Sequence, residues 1–203
     1  MSWEIEYKKK LRTPGEALRC VQSGMRVYIQ PGCAEPETLV EALMQRAPHV
    51  QDVEIVHMMT MGTAPYVAPE MAGHFRHNAV FIGANVRDAI NEGRADYTPV
   101  YLSEIEDLFE SGAMPLDVAL IQVSPPDSHG FCSFGVGVDT TLTAARLARY
   151  VVAQVNDQMP RTYGDSFIHV SKIDAVVESS LPLCAMKKPA RARTARTMRM
   201  TCI

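Results

Sequence analysis

The sequence predicts an α/β fold, an open and largely parallel β-sheet with helices on both faces. β-Branched or apolar runs alternate with segments of helical period about ten residues long, the signature of successive strand–helix units. Residues 118–123 are the strongest strand candidate, and 150–155 read as an apolar run of the kind found in a strand covered on both faces. A chain of 203 residues, 47% hydrophobic and 21% charged, suffices for one large globular unit.

The elements follow in order. Thr13-Pro14-Gly15-Glu16 carries a capping residue, a proline at the first helical position and an acid in the first turn, so a helix is expected over 14–22, ended by Gly24. Residues 26–30 read as a strand, and 37–46 as a helix with Leu39, Val40, Leu43 and Met44 on one face. Strands are expected at 53–58 and 79–82, a helix at 86–92, and a second helix at 103–110 opened by Ser103. After the strand 118–123 comes a helix over 140–148, capped by Asp139 or Thr140, then the strand 150–155 and short strands at 168–170 and 175–177.

Composition excludes several classes. No stretch reaches the roughly 18 apolar residues of a membrane span, and residues 1–10 are charged with no apolar core of a signal peptide, so a cytoplasmic protein is expected. Cys20, Cys33, Cys132, Cys184 and Cys202 show no paired spacing, which predicts free thiols rather than disulfides or a metal site. Residues 187–203 hold six Lys or Arg and no acid; the rest keeps 14 basic against 23 acidic residues, a net of −9 that argues against a nucleic-acid footprint on the body.

Four segments could carry chemistry. Gln30-Pro31-Gly32-Cys33-Ala34-Glu35-Pro36 follows a strand and precedes a helix, where open α/β sheets place ligands. Free N–H groups at that helix start could bind an anion or an oxyanion; the competing reading is an ordinary Gly-Pro turn. Ser124-Pro125-Pro126-Asp127-Ser128-His129-Gly130-Phe131-Cys132-Ser133 follows a buried strand, with His129 either a proton donor or phosphate ligand, or a solvated turn histidine. His74-Phe75-Arg76-His77, near Arg87, could hold phosphates or a carboxylate, but nothing completes a metal set. Residues 156–166 either line a cleft or form a surface loop. Neither Cys33 nor Cys132 has a local histidine partner to make it a nucleophile.

Taken together, these segments resemble the amino-terminal domain of the acetyl-CoA hydrolase/transferase family, which includes 4-hydroxybutyrate and acetate or succinate CoA-transferases. The resemblance runs from about residue 5 to residue 180. It rests on Glu35-Pro36 with its small-residue loop, His57-Met58 through Met61-Gly62, and His74-Phe75-Arg76-His77-Asn78. It continues through Phe81-Ile82-Gly83, Asn85-Val86-Arg87, Gly93-Arg94-Ala95-Asp96-Tyr97-Thr98-Pro99 and Leu102-Ser103-Glu104-Ile105. Ser124-Pro125-Pro126-Asp127, His129-Gly130, Met159-Pro160-Arg161-Thr162 and Gly164-Asp165-Ser166 complete it.

The resemblance implies a CoA-transferase-like (NagB/RpiA-like) sheet, facing a second α/β domain across a CoA cleft. It implies coenzyme A as a substrate rather than a permanently bound cofactor, with an acyl-CoA and a short-chain carboxylate as reactants and hydrolysis as the variant reaction. A glutamate of the carboxy-terminal domain would attack the acyl-CoA, so no glutamate here, Glu35 and Glu70 included, is expected as nucleophile. The implied cleft residues are Gly32, Cys33, Ala34 and Pro36 on the first loop, with Met61, Gly62, Ser124, Pro125, His129 and Gly130 shaping the rest. Ala34 is expected on an exposed loop that tolerates a bulkier side chain without loss of the fold. Neither a metal, a membrane nor a nucleic acid is implied; a homo-oligomer is left open. The domain is expected over residues 1–183, and 184–203 as a basic tail, disordered or out of frame, standing where the second domain should begin; a non-catalytic acyl-CoA- or partner-binding protein is the rival reading.

Overall fold

The computed structural model describes residues 2–185, so the tail expected over 184–203 lies outside the described residues from 186 onward. The chain opens with α1 (Trp3–Lys10) and α2 (Pro14–Ala17), the latter running on as a 3-10 turn to Cys20. Strand β1 (Arg26–Ile29) leads to α3 (Glu37–Gln45), then come β2 (Val53–His57) and β3 (Phe75–Ala79). Next are α4 (Arg87–Asn91), β4 (Asp96–Tyr97), α5 (Ile105–Glu110), β5 (Val118–Val123) and β6 (Phe131–Ser133). The chain continues through α6 (Thr141–Leu147), β7 (Tyr150–Asn156), β8 (Phe167–His169) and β9 (Ala175–Ser179).

Seven strands form one sheet in the order β4-β3-β2-β1-β5-β7-β9, every neighbouring pair parallel, while β6 and β8 make a separate antiparallel ribbon. Period-two alternation divides the core. Val27, Ile29, Ile55, Leu120 and Val152 face α3 with Leu39 and Leu43, whereas Tyr28, Val56, Ile121, Ala153 and Val176 face α5, α6 and the ribbon. Both faces are therefore covered, which is why β5 is buried at all six positions. Because all seven strands run the same way, their carboxyl ends meet at one edge of the sheet.

Local chemistry explains the starts and stops. At α2 the Thr13 side chain accepts from Glu16 N while the Glu16 carboxylate accepts from Thr13 N, a complete capping box. At α6 the N-cap position is Thr140, which makes no side-chain capping bond; Asp139, one residue earlier, accepts through Oδ1 from both Thr141 N and Thr141 Oγ1. Ser103 makes no capping bond: it sits in a 3-10 turn (Leu102–Glu104), and α5 starts at Ile105.

Two expectations are corrected. The strand expected at 79–82 is β3, ending at Ala79, because the buried positions of that strand are Phe75, His77 and Ala79 and a histidine stands where an aliphatic residue would have signalled it. His74 and His77 therefore do not share a helix: His74 Nδ1 donates to Val50 O and His77 Nδ1 to Ile55 O. Arg76 is committed to both carboxylate oxygens of Asp96, so this segment holds the sheet rather than an anion.

Candidate active site at the carboxyl ends of the strands

The residues beyond β1, β2 and β3 are joined into one platform. Gly32, at φ +67°, forms a parallel bridge with Thr60 and donates its N–H to Met59 O at 2.6 Å. Glu35, only 2% exposed, turns its carboxylate to the second loop, where Gly62 N donates to Oε2 at 2.6 Å. From the third loop, Asn85 Nδ2 donates to Thr60 Oγ1 and Gly62 O, each at 3.0 Å. Gly62 is thus held through its N–H by the first loop and through its carbonyl by the third. Burial pushes the Glu35 carboxyl above its ordinary range, against donors from Gly62, Met61 and Thr60 that favour the ion.

Beneath the platform lies a chain of buried amides from three central strands. Gln122 N donates to Gln30 Oε1 at 2.5 Å, and Gln122 Nε2 to Glu35 O at 3.1 Å. Gln122 Oε1 accepts from Gln154 Nε2 at 3.0 Å and Asn156 Nδ2 at 2.8 Å, while Gln30 Nε2 donates to Gly137 O. Gln154 Oε1 then accepts from Thr38 N in the first turn of α3. All four side chains are at most 2% exposed, and such a satisfied network fixes the loop and the helix start in one geometry.

That geometry corrects the expected donors. The N–H groups at the start of α3 are not free: Glu37 N donates to Glu35 O, Thr38 N to Gln154, and Leu39 N and Val40 N to Pro36 O. Among the described residues, the loop amides that donate no hydrogen bond are those of Cys33 and Ala34, the two residues of the turn that Glu35 closes. The exposed position expected at Ala34 is also overturned. Ala34 is 0% exposed, beneath Gly137, where a methyl group added to that glycine would lie 2.7 Å from Ala34 Cβ. Pro36 is buried as well, and Cys33 is the half-exposed side chain of the turn.

Met61 and Gly62 belong to this platform; the other expected cleft residues do not join it. Ser124 is buried, donating through Oγ to Pro125 O and accepting from Ser133 N. Pro125 lies apart, lining a cavity of about 410 Å³ with Tyr7, Asp157 and Glu178 at the ends of β7 and β9. His129 is an exposed turn residue whose N–H donates to Asp127 Oδ1 and whose carbonyl accepts from His169 Nε2. Gly130, at φ +83°, sits where an added Cβ would come within 2.8 Å of His169 and Trp3, so the turn seats α1 against the ribbon. Residues 156–166 read likewise as structure, with Thr162 and Ser166 bonded to each other and Thr162 to Ser133.

Sequence reasoning missed three contributors. The amide chain lay in runs read as buried strands, where Gln122 and Gln154 were the polar signals. The segment after β9 returns over the strand ends, with Leu181 O accepting from Asn156 and Cys184 Sγ donating to Glu37 Oε1. Burial and Glu37 push the Cys184 thiol up to about 12. Burial, helped by the Asp127 charge and opposed by Arg161, does the same for Cys132, up to about 12, which removes it as a nucleophile at neutral pH. The third is a stacked pair beside the platform: His57 and His77 have ring centroids 4.1 Å apart, and Tyr66 OH meets His57 Nε2 at 2.6 Å. Among the described residues no group of three His, Cys, Asp or Glu side chains could hold a metal ion, and no helix is long and apolar enough to cross a membrane.

Known proteins share this fold. The chain is 50% identical over 189 residues to 4-hydroxybutyrate coenzyme A transferase of Clostridium kluyveri, covering 93% of the chain and 44% of that protein. RipA of Yersinia pestis superposes with a TM-score of 0.86 at 30% identity, over 96% of this chain and 47% of that one. A 4-hydroxybutyrate CoA-transferase of Porphyromonas gingivalis does so with a TM-score of 0.78 at 32% identity, over 93% and 43%. The chain thus spans less than half the length of these relatives. The family model for the acetyl-CoA hydrolase/transferase N-terminal domain matches residues 1–185, and the chain belongs to that family.

Proposed function

We propose that this chain is the amino-terminal half of an enzyme that moves coenzyme A from an acyl-CoA to a short-chain carboxylate such as acetate or 4-hydroxybutyrate. Its 50% identity to a 4-hydroxybutyrate transferase over nearly the whole chain favours transfer over hydrolysis. In this reading a carboxylate nucleophile supplied by the carboxy-terminal half adds to the thioester carbonyl. The carbonyl oxygen takes up negative charge, the C–S bond breaks, and CoA leaves as thiolate from an acyl–enzyme anhydride. The thiolate then attacks the enzyme-side carbonyl, releasing the donor carboxylate and leaving an enzyme–CoA thioester, and the acceptor carboxylate runs the same two steps in reverse to leave as the new acyl-CoA.

The observation that carries the reading is the unused N–H group of half-exposed Cys33, on the turn at the edge where all seven strands end. Backbone donors fixed before the reaction stabilise a developing oxyanion without reorganising, and losing one costs about a hundredfold or more in rate. Glu35 serves in this scheme as the clamp that joins two loops, not as the nucleophile, since its carboxylate already accepts from the second loop. Coenzyme A enters as substrate, and the chain alone is inactive because the nucleophile is not on it.

The test is exchange of label between acetyl-CoA and acetate, or 4-hydroxybutyrate, by the purified chain with and without a carboxy-terminal half taken from a full-length relative. Exchange that needs both halves supports the reading. Exchange by the chain alone, or net hydrolysis without transfer in the reconstituted enzyme, overturns it.

A further inference from the structure

A cavity of about 530 Å³ lies away from the strand carboxyl ends, between α6 and the β6–β8 ribbon. Val151, at the start of β7, and Asp174, just before β9, place it toward the amino ends of those parallel strands. Its volume falls within the range of about 300–1,000 Å³ usual for small-molecule sites.

The lining has two parts. Leu142, Ala145 and Arg146 stand at positions i, i+3 and i+4 of α6, so one face of that helix forms a wall. Ala145 and Ala148 leave the room that larger side chains would fill, and Phe131, Phe167 and Ile168 supply apolar surface from the ribbon. The polar part is cationic. Arg146 and Lys172 both line the cavity, both are exposed, and neither has an ion pair or hydrogen bond among the described residues. The acid at the edge is Asp174, whose Oδ2 already accepts from Val151 N at 2.8 Å. His169 is committed at both ring nitrogens, to Ser171 and to His129 O. Two unpaired cations beside an apolar hollow stand out in a body that otherwise carries a net charge of −9.

We propose that this cavity is a second ligand site, separate from the strand-end platform, that takes a carboxylate bearing a short apolar body. The chain of the ligand lies against Ala145, Ala148, Phe167 and Ile168, and its carboxylate meets Arg146 and Lys172. A compact inorganic anion leaves the hollow unfilled, and an uncharged alcohol of the same length leaves both cations without a partner. The ligand therefore needs both properties.

The test is a titration of the isotopically labelled 203-residue chain with octanoate, followed by amide chemical shifts, with octanol and inorganic phosphate as controls. Saturable shifts confined to residues 142–148 and 167–172 are expected, with octanoate half-saturating about tenfold below octanol and phosphate giving none. Replacing Arg146 and Lys172 together by alanine, both surface changes, should raise the octanoate half-saturation about tenfold without changing the melting temperature. Ala148→Phe should abolish the shifts by filling the hollow. Equal affinity for octanol, phosphate shifts matching those of octanoate, or octanoate shifts that ignore the double substitution would each overturn the proposal.

Discussion

Gly62 donates its backbone N–H to the Glu35 carboxylate at 2.6 Å, and a methyl group added at Gly62 would meet that same oxygen at 2.6 Å. The two loops touch so closely that the second has no room for a side chain. Gly62→Ala is therefore expected to destabilise the chain by about 1–3 kcal/mol, the range for overpacking a close contact. Urea denaturation of the two proteins measures this. An unchanged midpoint would mean that the loops part freely.

Glu35 leaves its own mark on stability against pH. Burial raises its folded carboxyl above the ordinary value of 4.5, so the folded chain keeps a proton that the unfolded chain loses. The sign is fixed by that order. The contribution favouring the fold is fully present below about 4.5 and is lost as pH rises through the raised folded value. Glu35→Gln removes this dependence, so the stability difference between the two proteins should change with pH only from about 4.5 upward. A difference constant over pH 4 to 8 would contradict it.

His57 and His77 act in the opposite direction. Burial and mutual repulsion hold His57 well below its ordinary value, and burial brings His77 down to about 4. The unfolded chain takes up protons near 6.5 where the folded chain resists them, so stability is present above 6.5 and is lost as pH falls toward 4. A shift of that size at His77 corresponds to about 3 kcal/mol over the window. His77→Phe keeps an aromatic ring on His57 and should flatten that part of the profile, as thermal melts from pH 4 to 7.5 would reveal.

Strands β1, β5 and β7 could be read from the sequence because their residues are apolar and lie in a sheet covered on both faces. α1, the short strands β4 and β6, and the true extent of β3 could not. In α1 the apolar residues Trp3, Ile5 and Tyr7 are spaced by two, yet a helix forms with acids in its first turn and lysines in its last. β6 has three residues and β4 two, too few for any period to show. The loop of the candidate site was legible from its small residues and its place after a strand. Which of its amides remain free was not, because that depends on Gln154, more than a hundred positions away, taking the N–H of Thr38.

The amide chain should respond sharply to loss of its centre. Gln122→Leu leaves Gln154 Nε2 without a partner, while Asn156 Nδ2 keeps Leu181 O and Glu35 O keeps Glu37 N. A buried polar group left unpaired costs about 1–3 kcal/mol, so a loss of about that size is expected. Hydrogen exchange should also speed up at Thr38 and in the platform loops, since Gln154 loses its anchor. A loss confined to global stability, with Thr38 exchange unchanged relative to the rest of the core, would separate the network from the loop.

Cys33 and Ala34 are adjacent on the same turn, yet they should fail in different ways. Ala34 is fully buried under Gly137, so Ala34→Leu forces three more carbons into filled space and is expected to lower the melting temperature of the chain. Cys33 is half-exposed, so Cys33→Leu adds volume that solvent can yield. If the free amides of this turn face the thioester carbonyl, that volume stands beside the oxyanion. In the enzyme reconstituted with a carboxy-terminal half, Cys33→Leu should then lower kcat about a hundredfold while KM for the acyl-CoA changes little. Cys33→Ser, nearly the same size, should keep the rate and show that the thiol itself takes no part. Normal turnover in Cys33→Leu, with the melting temperature preserved, would move the oxyanion donors away from this turn and leave Gly32 and Pro36 as the frame of a structural bend.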